Sequence, residues 1–71
     1  MMTSNLQLEK DVVGYRVTDG ANTRAIILPI APHRFNGHSR WQIDAIGLPY
    51  WDKKYARTLA QAKAIAYHYA N

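Results

Sequence analysis

The chain has 71 residues, no cysteine and a formal net charge of +4. That length supports one domain and one small core, in which only roughly 60% of the unfolded chain's surface is buried. It excludes disulfide staples and thiolate zinc sites, and it points to a reducing compartment.

The first five residues, 1–5, read as a loose tail. They contain no basic stretch followed by an apolar one, so no secretory leader is expected. No apolar run reaches the roughly 20 residues that a membrane helix needs. The expectation is a single-domain cytoplasmic protein covering residues 1–71.

From Leu6 to Thr18 the residues favour strand. Val13, Tyr15 and Val17 alternate with Gly14, Arg16 and Thr18, a period of two. Thr18-Asp19-Gly20-Ala21-Asn22 reads as a hairpin turn, because Asp-Gly supplies the positive-φ residue such a turn needs. Thr23–Leu28 forms the second strand. Its run Ala25-Ile26-Ile27-Leu28 leaves the inward face open: either Ile26 and Leu28 point to the core, or Ile27 does. Pro29 and Pro32 cannot donate to a ladder, so the strand frays or reaches an edge there.

Residues 32–39 form a loop with Asn36-Gly37 at its tip, followed by a third strand over Arg40–Ile46. Trp41, Ile43 and Ala45 share one face of it, and Arg40, Gln42 and Asp44 the other. Gly47-Leu48-Pro49 ends it. Tyr50 to Arg57 is then a loop, with a short strand as an option near Lys54–Arg57. The helix that follows has the clearest start signal in the chain. Thr58 is a good N-cap and Gln61, three residues on, completes a capping box. Leu59, Ala62, Ile65, Ala66 and Tyr69 recur at spacings of three and four. The predicted fold is α+β: a three-stranded antiparallel sheet with one C-terminal helix packed on it. The sheet would contribute Val13, Tyr15, Val17, Ile26, Leu28, Trp41 and Ile43 to the core.

Charge is unevenly placed. Residues 1–30 carry Lys10, Arg16 and Arg24 against Glu9, Asp11 and Asp19. Residues 31–71 carry Arg34, Arg40, Lys53, Lys54, Arg57 and Lys63 against Asp44 and Asp52, so the excess lies there. A local positive field favours an anionic partner. Tyr50-Trp51-Asp52-Lys53-Lys54-Tyr55-Ala56-Arg57 concentrates three cations and three aromatics. Lys and Arg reach phosphates, while Tyr and Trp stack on bases. The same residue types anchor protein interfaces. The candidate binding residues are therefore Arg34, Arg40, Tyr50, Trp51, Lys53, Lys54, Tyr55 and Arg57. The competing reading makes Trp51 or Tyr55 a lid on the core, with solvated lysines around it.

His33 and His38, even with Asp44, Asp52 or His68, do not make a zinc site at recognisable spacing, so no metal and no cofactor are expected. Ser39 beside His38 does not make a nucleophile and base, since neighbours on a strand face opposite ways. The carboxylates are dispersed, and no enzyme is expected.

The run Ala56-Arg57-Thr58-Leu59-Ala60-Gln61-Ala62-Lys63-Ala64-Ile65-Ala66, preceded by a Trp-led strand, resembles a pattern of short phage and prophage proteins. It is similar to small anti-CRISPR proteins and, more weakly, to the arm-type DNA-binding domain of phage integrases. The resemblance covers about Trp41 to Ala66. The first likeness implies a phage- or mobile-element-type protein that binds a host nucleic-acid-handling complex and inhibits or redirects it. The second implies a sheet face that reads DNA through Arg16, Arg24 and Arg40. The long 32–39 loop and the missing recombinase domain depart from the integrase pattern. The function expected first is thus stoichiometric binding to a host protein or nucleoprotein complex; the alternative is direct DNA or RNA binding.

Overall fold

The computed structural model describes residues 6–31, 37, 39–49 and 52–70. Five strands follow in order: β1 (Gln7–Lys10), β2 (Tyr15–Thr18), β3 (Thr23–Pro29), β4 (Trp41–Ala45) and β5 (Lys54–Ala56); one helix, α1 (Leu59–Ala70), ends the chain. Each strand pairs antiparallel with the next, giving a meander in the order β1-β2-β3-β4-β5. The expected three-stranded sheet is therefore corrected to a five-stranded one, with the C-terminal helix on it as expected.

The two extra strands have distinct physical origins. The first comes from a break in the expected Leu6–Thr18 strand. Asp11 N–H donates to Gly14 O at 3.0 Å, and Val12 N–H donates to the Asp11 carboxylate at 2.8 Å. The chain reverses there and pairs Leu8 with Val17 and Lys10 with Tyr15. Val13 is thereby carried out of the core onto the turn, where Val12 and Val13 are both exposed. The second is the optional short strand near Lys54–Arg57: Lys54–Ala56 pairs with β4, with Trp41 opposite Ala56 and Ile43 opposite Lys54.

Gly14 is what makes the first reversal possible. Its φ is +82°, and a Cβ there would run into the carbonyl oxygen of Ile27 on β3. Both backbone handedness and space thus demand glycine.

The helix begins as its sequence directs. Gln61 N–H donates to Thr58 Oγ1 at 3.1 Å. The Gln61 side chain reaches back to Arg57 N–H at 3.2 Å, one residue beyond the N-cap. Its buried face is Ala62, Ala66 and Ala70. These meet Ala25, Ile27, Ile43, Ala45 and Ala56 from the sheet, with Val17 beside them. Among the described residues six of the nine buried hydrophobic ones are alanine, so the helix sits close to the strands. Ile27 is fully buried and Ile26 is exposed, which resolves the open choice on β3 in favour of Ile27 and removes Ile26 and Leu28 from the buried core. The helix lies across β3, β4 and β5, touches β2 at its margin and does not approach β1.

At its far end the helix is tied to the sheet by its carbonyls. Arg24 Nε donates to Ala70 O at 3.0 Å, placing a cation at the negative end of the helix dipole. Gly47 lies so near the Tyr69 carbonyl that an added Cβ would stand 2.7 Å from it. No helix among the described residues is long and apolar enough to cross a membrane.

The two hairpin glycines should respond differently to alanine. Gly14→Ala combines left-handed strain with a backbone collision and is expected to cost more than about 2 kcal/mol. Gly20, at φ +96° with open space around it, should cost only about 1 kcal/mol. Urea unfolding followed by circular dichroism compares them, and equal losses would remove the role assigned to the Ile27 carbonyl.

Candidate interaction surface

Because the helix covers one side of the sheet, the other side is bare among the described residues, and the register says what lies on it. Glu9 pairs with Arg16, Arg16 with Ile26, and Ile26 with Asp44, which forms one row across four strands. Leu28 pairs with Gln42, and Gln42 with Tyr55, in a second row. Cross-strand partners share a face, and that face is opposite to Val17, Ala25, Ile27 and Ile43. Ile26 is 38% exposed and Tyr55 42%, high for large apolar side chains within strands.

The charges on this face are matched. Arg16 NH2 lies 3.2 Å from Glu9 Oε1, and Lys53 Nζ lies 3.2 Å from Asp44 Oδ2. Such exposed pairs add little stability, roughly 0–1 kcal/mol each. Their consequence is that Arg16 and Lys53 add no net charge to the face. A groove of about 240 Å³ opens at one end of it, lined by Ile26 and Ile46 between Arg24 and Asp44. Ile46 is 62% exposed. A smaller polar recess of about 150 Å³ lies at the β2–β3 turn, lined by Glu9, Arg16 and Thr18 among others.

The basic–aromatic run is not one contiguous patch. Lys54 and Tyr55 are consecutive on β5 and so point to opposite sides of the sheet. Tyr55 joins the bare face opposite Gln42, whereas Lys54 sits opposite buried Ile43 on the helix side. There Lys54 Nζ is 3.7 Å from Asp52 Oδ1 and 5.8 Å from the Tyr69 ring centre. Lys53 is held by Asp44 on the bare side. Arg40 and Arg57 are exposed and, among the described residues, have no carboxylate partner. Arg40 N–H bonds Ala56 O at 2.9 Å, and Arg57 N–H bonds the Gln61 side chain. Arg34, Tyr50 and Trp51 lie outside the described residues, as do His33 and His38 and the expected tail over residues 1–5. Among the described residues no three His, Asp or Glu side chains gather as a metal site would require.

Two of the three arginines implied by the integrase resemblance are engaged within the fold. Arg16 bonds Glu9, and Arg24 bonds the helix end and lies 3.8 Å from Asp19. Asp19 is itself held below its ordinary 3.8, first by the Asn22 N–H at 2.7 Å, then by the Ala21 N–H at 2.9 Å, with Arg24 adding a smaller pull. Ile26 and Ile27 are the pair whose sides the sequence reading leaves open. A usable signal exists: Ile26 and Leu28 share parity with Arg24, whereas Ile27 shares it with Ala25, the small residue an alanine-faced helix needs.

No family model, curated protein sequence or solved structure matches this chain.

The lowered Asp19 carboxyl predicts an acid-side loss of stability. The unfolded chain takes up the proton at the ordinary value and the folded chain only at lower pH. The contribution is therefore whole above about pH 4 and disappears as pH falls through the folded value. Asp19→Asn should flatten this limb: between about pH 5 and about pH 2 its thermal midpoint should fall less than that of the unsubstituted protein. Parallel slopes would assign the acid dependence to other carboxylates.

Proposed function

We propose that this protein acts by stoichiometric binding in the cytoplasm, without catalysis, and that the bare face of its sheet is the binding surface. The observation that carries the reading is the combination of exposed Ile26 and Tyr55 with half-buried Leu28 on a face where Arg16 and Lys53 are matched by carboxylates. An apolar and aromatic centre within a polar rim suits a protein partner. A surface that reads phosphates would instead keep its cations unpaired, since its affinity comes from counterion release. The overall charge of +4, with Arg40 and Arg57 exposed at the margin, favours an acidic partner face. Proteins of nucleic-acid-handling complexes fit that description where they present acidic surfaces. The phage-type resemblance of the Trp41–Ala66 region adds the further element that binding blocks or redirects a host complex of this kind.

Direct binding of DNA or RNA is the second reading, and Arg40 and Arg57 favour it. The two readings differ in their salt dependence and in the residues they use.

Affinity capture from bacterial lysate, with and without nuclease, tests the first. A captured host protein should survive nuclease and moderate salt. Tyr55→Ala and Ile26→Asp should each weaken its capture at least about tenfold while leaving the circular dichroism spectrum unchanged. If capture is instead abolished by nuclease or by Arg40→Ala with Arg57→Ala, and the protein shifts DNA or RNA at low salt, the second reading holds. Undiminished capture by both the Tyr55 and Ile26 variants would overturn the assignment of the bare face.

A further inference from the structure

A meander has two outer strands, and β1 and β5 are differently suited to be left open. The outer edge belonging to β5 is three residues long, begins with Lys54 and is preceded by Lys53, the kind of short, lysine-bearing edge that resists further pairing. β1 has four residues, Gln-Leu-Glu-Lys, without proline, and its apolar side chain lies on the helix side of the sheet. The helix does not reach it there. Leu6, Leu8 and Tyr15 are consequently only half-buried against the core, although they share a face with it.

The hydrogen-bond pattern shows which β1 groups are spare. Asp11 N–H bonds Gly14 O, and that pair continues the same register that matches Glu9 with Arg16 and Gln7 with Thr18. In an antiparallel ladder bonded pairs alternate with non-bonded ones. Leu8 and Lys10 therefore direct their N–H and C=O groups outward, away from β2.

We infer that β1 pairs antiparallel with β1 of a second copy of this chain, forming a two-fold dimer with one continuous ten-stranded sheet. Antiparallel pairing places the two-fold axis normal to the sheet, so every side chain stays on its own face. Helix-side residues then meet only helix-side residues. Of the registers that satisfy both this condition and the outward bonding groups, two overlap the strands most fully. One sets Glu9 against Glu9 of the second copy, which places like charges directly opposite each other. The other sets Leu8 against Leu8, Gln7 against Glu9, and Leu6 against Lys10. The second register avoids the repulsion, adds roughly six backbone hydrogen bonds and closes Leu6, Leu8 and Tyr15 under a neighbouring set of the same residues. Both helices lie on one side of this dimer. On the other side the two bare faces become coplanar, with their Ile26 strands about five strand spacings, roughly 24 Å, apart. The inference does not depend on the partner proposed above.

Light scattering after size exclusion, with sedimentation velocity over concentrations up to the millimolar range, tests it. The mass should rise from 8.1 kDa toward twice that value. Leu8→Lys, which places two cations across the axis, should restore the single-chain mass. Lys10→Pro removes an outward N–H that no other described residue uses, so it should leave the fold intact and raise the dimer dissociation constant at least tenfold. It also keeps the test decisive if the Leu8 variant unfolds. Tyr55→Ala, far from β1, should leave the mass unchanged. A protein that remains at 8.1 kDa throughout overturns the inference. So does a dimer that withstands Lys10→Pro or dissociates with Tyr55→Ala.

Discussion

The close approach of an alanine-faced helix to an alanine-lined sheet is the constraint on which the rest of this structure depends. Ala62, Ala66 and Ala70 meet Ala25, Ala45 and Ala56 with Ile27 and Ile43 beside them. Methyl groups bury little area each, at about 25 cal/mol per Å² of apolar surface. The interface compensates by bringing backbones together, as at Gly47 against the Tyr69 carbonyl. A larger side chain at any of these alanines would push the two layers apart, and overpacking of this kind typically costs about 1–3 kcal/mol. A helix only twelve residues long cannot also extend to the outer strand, so the same packing leaves β1 uncovered.

The ends of the helix translate this packing into an orientation. Thr58 and Gln61 satisfy donors at its start, and Arg24 takes the Ala70 carbonyl at its end. Arg24 also approaches Asp19 in the β2–β3 turn, so the turn, the third strand and the helix terminus are linked through one guanidinium. An arginine used in this way is not available to a ligand. The same holds for Arg16 with Glu9 and Lys53 with Asp44. A net charge of +4 thus overstates the field at the sheet's bare face, because pairing there has already cancelled Arg16 and Lys53.

Local signals in the sequence were legible wherever a residue's role is decided by its near neighbours. The Thr58–Gln61 cap, the Asp19-Gly20 turn, the inward set Trp41, Ile43 and Ala45, and the small helix face all follow from spacing and side-chain chemistry. What escaped were features decided by long-range fit. The reversal at Asp11–Gly14 depends on a glycine that must pass beside the Ile27 carbonyl, thirteen residues away. Val12 and Val13, good strand formers, are overridden there and left exposed. The inward side of β3 depends on which of its two alternating sets the helix can tolerate, and the answer lies in the size of Ala25 more than in the hydrophobicity of Ile26.

The candidate site was legible in its residue types and not in its geometry. Reading Tyr50 to Arg57 as one patch treats the segment as a loop. Once Lys54–Ala56 is a strand, alternation sends Lys54 to the helix side and Tyr55 to the bare side. Tyr55 then acquires neighbours that no reading of adjacent residues would supply: Gln42 across the ladder, and Leu28 beyond it. A surface assembled across strands in this way is set by register. A one-residue slip of β5 against β4 would exchange Lys54 for Tyr55 and convert the bare face from apolar–aromatic to basic. The burial of Ala56 beneath the helix holds the strand against that slip, since a slip would turn Ala56 outward and bring an arginine or a tyrosine in under the alanine-faced helix.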